Sequence, residues 1–193
     1  RTQQDFIKNH IPGAIFIGLN GSFAPWVGAL ISDINQPILL VVPEEKSEEA
    51  VTRLARVGYD HSMGYLEGGI EAWMASGKST DQITSISAEE FSVKTKEDKL
   101  HVLDVRKDGE HNSMHLKIAD LQHFALDLIN QQMDQIDAHE TYYIHCAGGY
   151  RSVIAASILK ANRFHNVIDI AGGFGAIKNT DLPITDFVCP STL

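Results

Sequence analysis

Within seven consecutive positions the chain places a thiol, two glycines, a guanidinium and a hydroxyl: Cys146-Ala147-Gly148-Gly149-Tyr150-Arg151-Ser152. An apolar run, Tyr142 to His145, leads into it, and a stretch rich in Ala, Ile and Leu, Ser152 to Asn162, leads out. The first has the character of a strand and the second of a helix. Cys146 therefore belongs at the carboxyl end of a strand, where open α/β sheets bind ligands. Two glycines let the backbone curl so that successive N–H groups converge on one spot. The helix beginning near Ser152 adds its positive end, and Arg151 adds a full charge. Such a cradle stabilises a thiolate and any anion attached to its sulfur. Only four residues separate Cys146 from Arg151, so the cradle is small. It suits one added sulfur atom, whereas a phosphoryl group needs a wider loop. Alone, Cys146 would read as a buried structural thiol; its setting beside Gly148, Gly149 and Arg151 argues against that. Cys189, beside Pro190, lacks these surroundings and reads as a spare tail cysteine rather than a resolving one.

The elements that must hold this loop occur twice. Arg1 through His10-Ile11 falls on Arg106 through His115-Leu116 at an offset of 105, and Gly68-Gly69 falls on Gly172-Gly173 at 104. The apolar run Ile38 to Val42 matches Tyr142 to His145 at an offset of 103 or so. A period near 100 residues is too long for a solenoid unit and marks a duplicated domain. In each copy short apolar runs alternate with helix-like stretches, which implies βαβ units, a mainly parallel sheet and helices on both faces. In the second copy the strands are expected at Leu100–Val105, Tyr142–His145 and Val167–Ala171. In the first they are expected near Ala14–Ile17, Ile38–Val42 and Met63–Leu66, with a helix from about Glu48 to Val57. The linker is placed near Ser76–Ser87, giving domains at 1–80 and 84–193. The first copy has no counterpart of Leu100–Val105, and the chain reads as part of a longer protein.

An offset of 103 puts Pro43 opposite Cys146, Glu45 opposite Gly148 and Glu48 opposite Arg151. Charges about 4 Å apart interact by roughly 4 kcal/mol at an effective dielectric near 20, so exchanging Arg for Glu turns attraction for an anion into repulsion. Ser47 is expected to cap the following helix, with Glu48 and Glu49 answering its positive end. The first copy is thus expected to be silent.

The stretch Leu103-Asp104-Val105-Arg106, the strand–Cys146–loop–Arg151-Ser152–helix unit and Ile170-Ala171-Gly172-Gly173-Phe174 resemble the rhodanese homology domain family. His10-Ile11-Pro12-Gly13-Ala14 and Leu66-Glu67-Gly68-Gly69-Ile70-Glu71-Ala72-Trp73 carry the resemblance in the first copy. The second copy departs from the pattern at His115-Leu116-Lys117-Ile118-Ala119, where Pro and Gly are usual. The resemblance implies two rhodanese-like domains of the α/β class, the first inactive and lacking its N-terminal strand. It implies a sulfurtransferase in which Cys146 takes a sulfane sulfur from thiosulfate or a small persulfide and passes it to a thiol or cyanide. Ala147, Gly148, Gly149, Tyr150, Arg151 and Ser152 would hold the sulfur anion, with Asp104 and Arg106 bracing the loop. The alternatives are a Cys-based phosphatase or arsenate reductase on a related fold, and a persulfide-relay module without free turnover. The tandem also resembles the C-terminal part of persulfide dioxygenase–rhodanese fusions, whose metallo-β-lactamase-like domain would precede Arg1.

Composition narrows the partners. Sixteen Lys and Arg against 25 Asp and Glu give a net charge of −9, which argues against nucleic acid, since phosphate contacts need clustered cations. No apolar run approaches the length of a bilayer span. Two cysteines are too few for a disulfide framework and suit a reducing, cytoplasmic setting. His111 and His115 are the close histidine pair with ligand-like spacing, but no Cys or carboxylate completes a metal pattern around them. No cofactor is expected.

Overall fold

The computed structural model describes residues 1–189; Pro190 and the end of the expected second domain lie outside them. The chain divides into two compact units, Arg1–Gln82 and Ile83–Leu193.

In the second unit the elements run β3 (Thr84–Ile86), α5 (Ala88–Glu97), β4 (His101–Asp104), α6 (Asp108–Ser113), β5 (Leu121–His123), α7 (Ile129–Gln132), β6 (Tyr142–His145), α8 (Tyr150–Ala161), β7 (Val167–Ile170) and α9 (Gly173–Ile177). The strands form one parallel sheet in the order β3-β7-β6-β4-β5. All four residues of β6 are buried, and a parallel strand covered on both faces reads as a continuous apolar run rather than an alternating one. On one face Ala88 and Phe91 of α5 meet Val102, Tyr143, Ile170, Phe174 and Ile177 in a single cluster. Burying a side chain the size of Phe91 contributes about 2–3 kcal/mol. Ser87 and Glu90 close a capping box that starts α5. On the other face lies α8, with Val153 through Leu159 all buried. Ile144 pairs with Asp169, so the two share a face, and the hydroxyl of Ser152 on Asp169 identifies it as the α8 face.

The strand expected at 142–145 is present with those bounds, and those expected at 100–105 and 167–171 are present with trimmed ends. The segment expected to be pure linker instead contains β3, because Thr84–Ile86 adds to the exposed edge of β7. Three residues at an edge carry too little apolar pattern to be read in advance.

The first unit contains α1 (Gln3–Lys8), α2 (Phe23–Leu30), β1 (Ile38–Leu40), α3 (Ser47–Ala55), β2 (Ser62–Tyr65) and α4 (Gly69–Ala75). β1 and β2 pair in parallel over a small core of Phe23, Val27, Leu54 and Tyr59. Ala14–Ile17 is not a strand, contrary to expectation. Its counterpart β5 pairs with β4, and among the described residues the first unit has no strand in the place of β4. With no ladder to join, the segment stays irregular, and an apolar groove lined by Phe16, Phe23, Leu40 and Leu54 remains beside β1.

Ser47 does not cap α3. It lies within the helix and donates to the Glu44 carbonyl at 2.7 Å, while Lys46 is the cap residue. Glu48 and Glu49 do occupy the first turn. Ile38 and Leu40 pack with Leu54 on the α3 side, as Ile144 does on the α8 side, an offset of 104 from Leu40, whereas the helix caps Lys46 and Gly149 are displaced by 103. Val42 rather than Pro43 therefore stands opposite Cys146, in a loop one residue longer. Neither side chain is a nucleophile.

Candidate active site

β6 delivers Cys146 to the carboxyl edge of the sheet, where the thiol is buried at 1% exposure. Gly149, in the left-handed region at φ 98°, is the cap of α8, and its N–H donates to Cys146 Sγ at 3.1 Å. The first turn of α8 carries no acidic residue, so its positive end is open to an anion on the sulfur, unlike that of α3.

A second loop fixes the first. Phe174 N–H donates to the Cys146 carbonyl at 2.7 Å and Gly175 N–H to the Ala147 carbonyl at 2.9 Å. The peptides are trans, so the N–H groups of Ala147 and Gly148 point the opposite way from these carbonyls, away from α9. Gly173 makes this approach feasible: it sits at φ 56°, and a Cβ there would overlap the Cys146 carbonyl. The Gly172-Gly173 pair seen in the repeat thus serves the cysteine loop by backbone contact.

Arg151 departs from the expected role of a free cation. It forms a two-pronged pair with Glu110 of α6, at 2.6 and 2.7 Å, and the guanidinium holds the Glu110 carboxyl below its usual range. The pair ties α8 to α6 and cancels most of the charge Arg151 would lend to a bound anion. Glu110 was not among the expected site residues; its signal was the repeat itself, in which it matches Asp5.

Asp104 and Arg106 form a buried brace, not a surface pair. Arg106 donates to both oxygens of Asp104 and to the Met114 carbonyl, and its guanidinium lies 4.0 Å from the Phe174 ring centre. Asp104 also bonds His111 Nδ1 at 2.8 Å. Burial alone would raise the Asp104 carboxyl, but the bonds from His111 and Arg106 outweigh it and hold it well below the usual range. His111 stacks on His115 and His123, with ring centres 4.3 and 4.2 Å apart. The Nδ1 of His115 is occupied by the His111 carbonyl, so the pair with ligand-like spacing is a packed column. His145 is fully buried, and that burial pushes it down to about 4, so the ring is neutral; its buried Nε2 has no hydrogen-bond partner among the described residues.

Ser152 lies beneath the sulfur. Its Oγ is 3.8 Å from Cys146 Sγ, 2.6 Å from Asp169 Oδ1 and 2.9 Å from the Gly149 carbonyl. Tyr150, half-buried, opens α8. Among the described residues no group of three or more His, Cys, Asp or Glu is disposed to hold a metal, and no helix is long and apolar enough to cross a membrane.

A profile of the rhodanese-like domain family matches residues 1–76 and 87–180. A protein of Bacillus subtilis (strain 168), YrkF, provisionally named a sulfur carrier protein, is 31% identical over 99 residues. That match covers 51% of this chain and 52% of the relative, so the chain spans about half the relative's length. Among solved structures, a rhodanese-like domain protein from Staphylococcus aureus is similar at 30% identity and a TM-score of 0.48, covering 54% of this chain and all of that one. A protein of unknown function from Rhodopseudomonas palustris, described as a tyrosine phosphatase candidate, is similar at 21% identity and a TM-score of 0.45, covering 53% and 85%.

Proposed function

Because the chain belongs to the rhodanese-like domain family, we propose that its second unit is a sulfurtransferase working through a persulfide on Cys146. The observation that carries this reading is the Gly149 N–H directed at Sγ from the unblocked start of α8. The sulfane sulfur of thiosulfate or of a small persulfide is attacked by the Cys146 thiolate. A new S–S bond forms, the donor's S–S bond breaks, and sulfite or a thiolate leaves. A thiol or cyanide then takes the terminal sulfur and restores Cys146. Loop donors and the α8 terminus hold the terminal charge, and Asp104 with Arg106 keeps the neighbouring strand end in place.

A phosphoryl group fits less well. The loop is short, and the guanidinium that would have to grip phosphate oxygens is engaged by Glu110. A carrier that loads sulfur but releases it only to a docked acceptor uses the same site, and the provisional name of YrkF belongs to that class. Steady-state transfer from thiosulfate to cyanide, read as thiocyanate formation, tests the reading. The unaltered protein is expected to turn over and Cys146→Ser to be inert. Phosphate release from an aryl phosphate that depends on Cys146, without thiocyanate formation, would reverse the assignment.

A further inference from the structure

Asp169 sits on β7 at 1% exposure. Among the described residues its partners are hydroxyls, not cations: Ser152 Oγ at 2.6 Å on Oδ1 and Ser85 Oγ at 2.8 Å on Oδ2. A buried carboxylate without a cation is costly, and burial raises the Asp169 carboxyl above its ordinary range, with the two hydroxyls only partly countering it. The charged groups on the surrounding elements are already engaged. Arg151 of α8 is held by Glu110 of α6, Asp104 of β4 by Arg106 and His111, and His145 of β6 is neutral. β3 presents Ser85, and α9 has no titratable side chain.

Ser152 has a single hydroxyl proton and three neighbours that could share it. With Asp169 ionised, the hydroxyl donates to Oδ1, and its lone pair faces the thiol at 3.8 Å. If the thiol proton passes to Ser152 Oγ while the Ser152 proton passes to Asp169, the carboxyl becomes neutral. The hydroxyl is then free to turn to the sulfur or to the Gly149 carbonyl. The charge has moved from a buried site without a cation to one faced by a peptide N–H and a helix terminus.

We infer that Asp169, acting through Ser152, takes up the Cys146 proton when sulfur is loaded, so that the site carries one negative charge both at rest and as the persulfide. With thiosulfate as donor, the Cys146 thiol, ionised Asp169 and thiosulfate become the Cys146 persulfide anion, neutral Asp169 and sulfite; charge and protons balance. Asp169 touches no reacting atom and is a positioning residue that stores a proton. The inference rests on the sulfurtransferase reading and deepens it.

Infrared difference spectra of the full chain, loaded with thiosulfate minus reduced, test it together with the pH profile of loading. The loaded protein is expected to gain a protonated-carboxyl C=O band that shifts in D2O and is missing from Asp169→Asn. In that variant, loading at neutral pH is expected to fall about tenfold and to climb with pH where the unaltered protein is flat. Ser85→Ala, which strips a donor from the charged carboxylate and leaves the Ser152 path intact, is expected to keep the band and guards against a folding artefact. Sulfur on Cys146 with no carboxyl band, or Asp169→Asn loading as fast as or faster than the unaltered protein, would overturn the relay alone. Absence of sulfur on Cys146 in the unaltered protein would instead overturn the sulfurtransferase reading.

Discussion

In the proposed reaction the sulfur anion on Cys146 is held by the Gly149 N–H and the start of α8, beside a guanidinium whose charge Glu110 already answers. Glu110 thereby limits how strongly the pocket attracts a dianionic donor. Neutralising it in Glu110→Gln leaves Arg151 with uncompensated charge. The KM for thiosulfate should drop about threefold at low salt, and the gain should fade as salt is raised, because exposed charges are screened over about 10 Å at 0.1 M. An unchanged KM across salt would mean that Arg151 does not reach the donor's field. The residues proposed to carry the chemistry, Cys146 through Ser152, stood out because a thiol, glycines and a cation share one short segment. Glu110 and Asp169 were not, because each lies in a different element and meets the loop only through the fold.

Two elements that never adjoin in sequence build the loop together. The first turn of α9 donates the Phe174 and Gly175 N–H groups to the Cys146 and Ala147 carbonyls, which requires a residue without Cβ at 173. Gly173→Ala must leave the left-handed region or push the Cys146 carbonyl aside. It is expected to cost about 2–4 kcal/mol of stability and to lower sulfur transfer more than tenfold. Denaturant titration beside the cyanide assay would show it, and a stable, fully active variant would refute this account of the loop. Strands β4, β6 and β7 were legible from their apolar runs. The edge strand β3 was not, since its pairing with β7 rather than its composition makes it a strand. The expected strand at 14–17 failed for the converse reason: suitable residues without a neighbour to pair with.

Across the whole molecule, duplication was visible in the spacing of Gly68-Gly69 and Gly172-Gly173 and in the two arginine-to-histidine segments. Single-residue register was not: the face on which Ile38 and Leu40 pack puts Val42, not Pro43, opposite Cys146. Stability should depend on pH through the core of the second unit. Burial pushes His145 down to about 4 in the folded chain against about 6.5 for an ordinary imidazole, so between these values the unfolded chain binds a proton the folded one excludes. Stability therefore falls as pH drops from about 6.5 toward 4, by roughly 3 kcal/mol from this group. Asp104, held below its usual range, adds loss only at more acid pH. Chemical denaturation at stepped pH should show this slope, and His145→Gln should flatten it; an unflattened slope would place the acid sensitivity elsewhere.

The most direct measurement is intact mass followed by peptide mapping after thiosulfate treatment under non-reducing conditions. The account predicts a gain of one sulfur atom, carried by Cys146, removed by cyanide and absent from Cys146→Ser. Sulfur found on Cys189 alone, or no gain in mass, would contradict it.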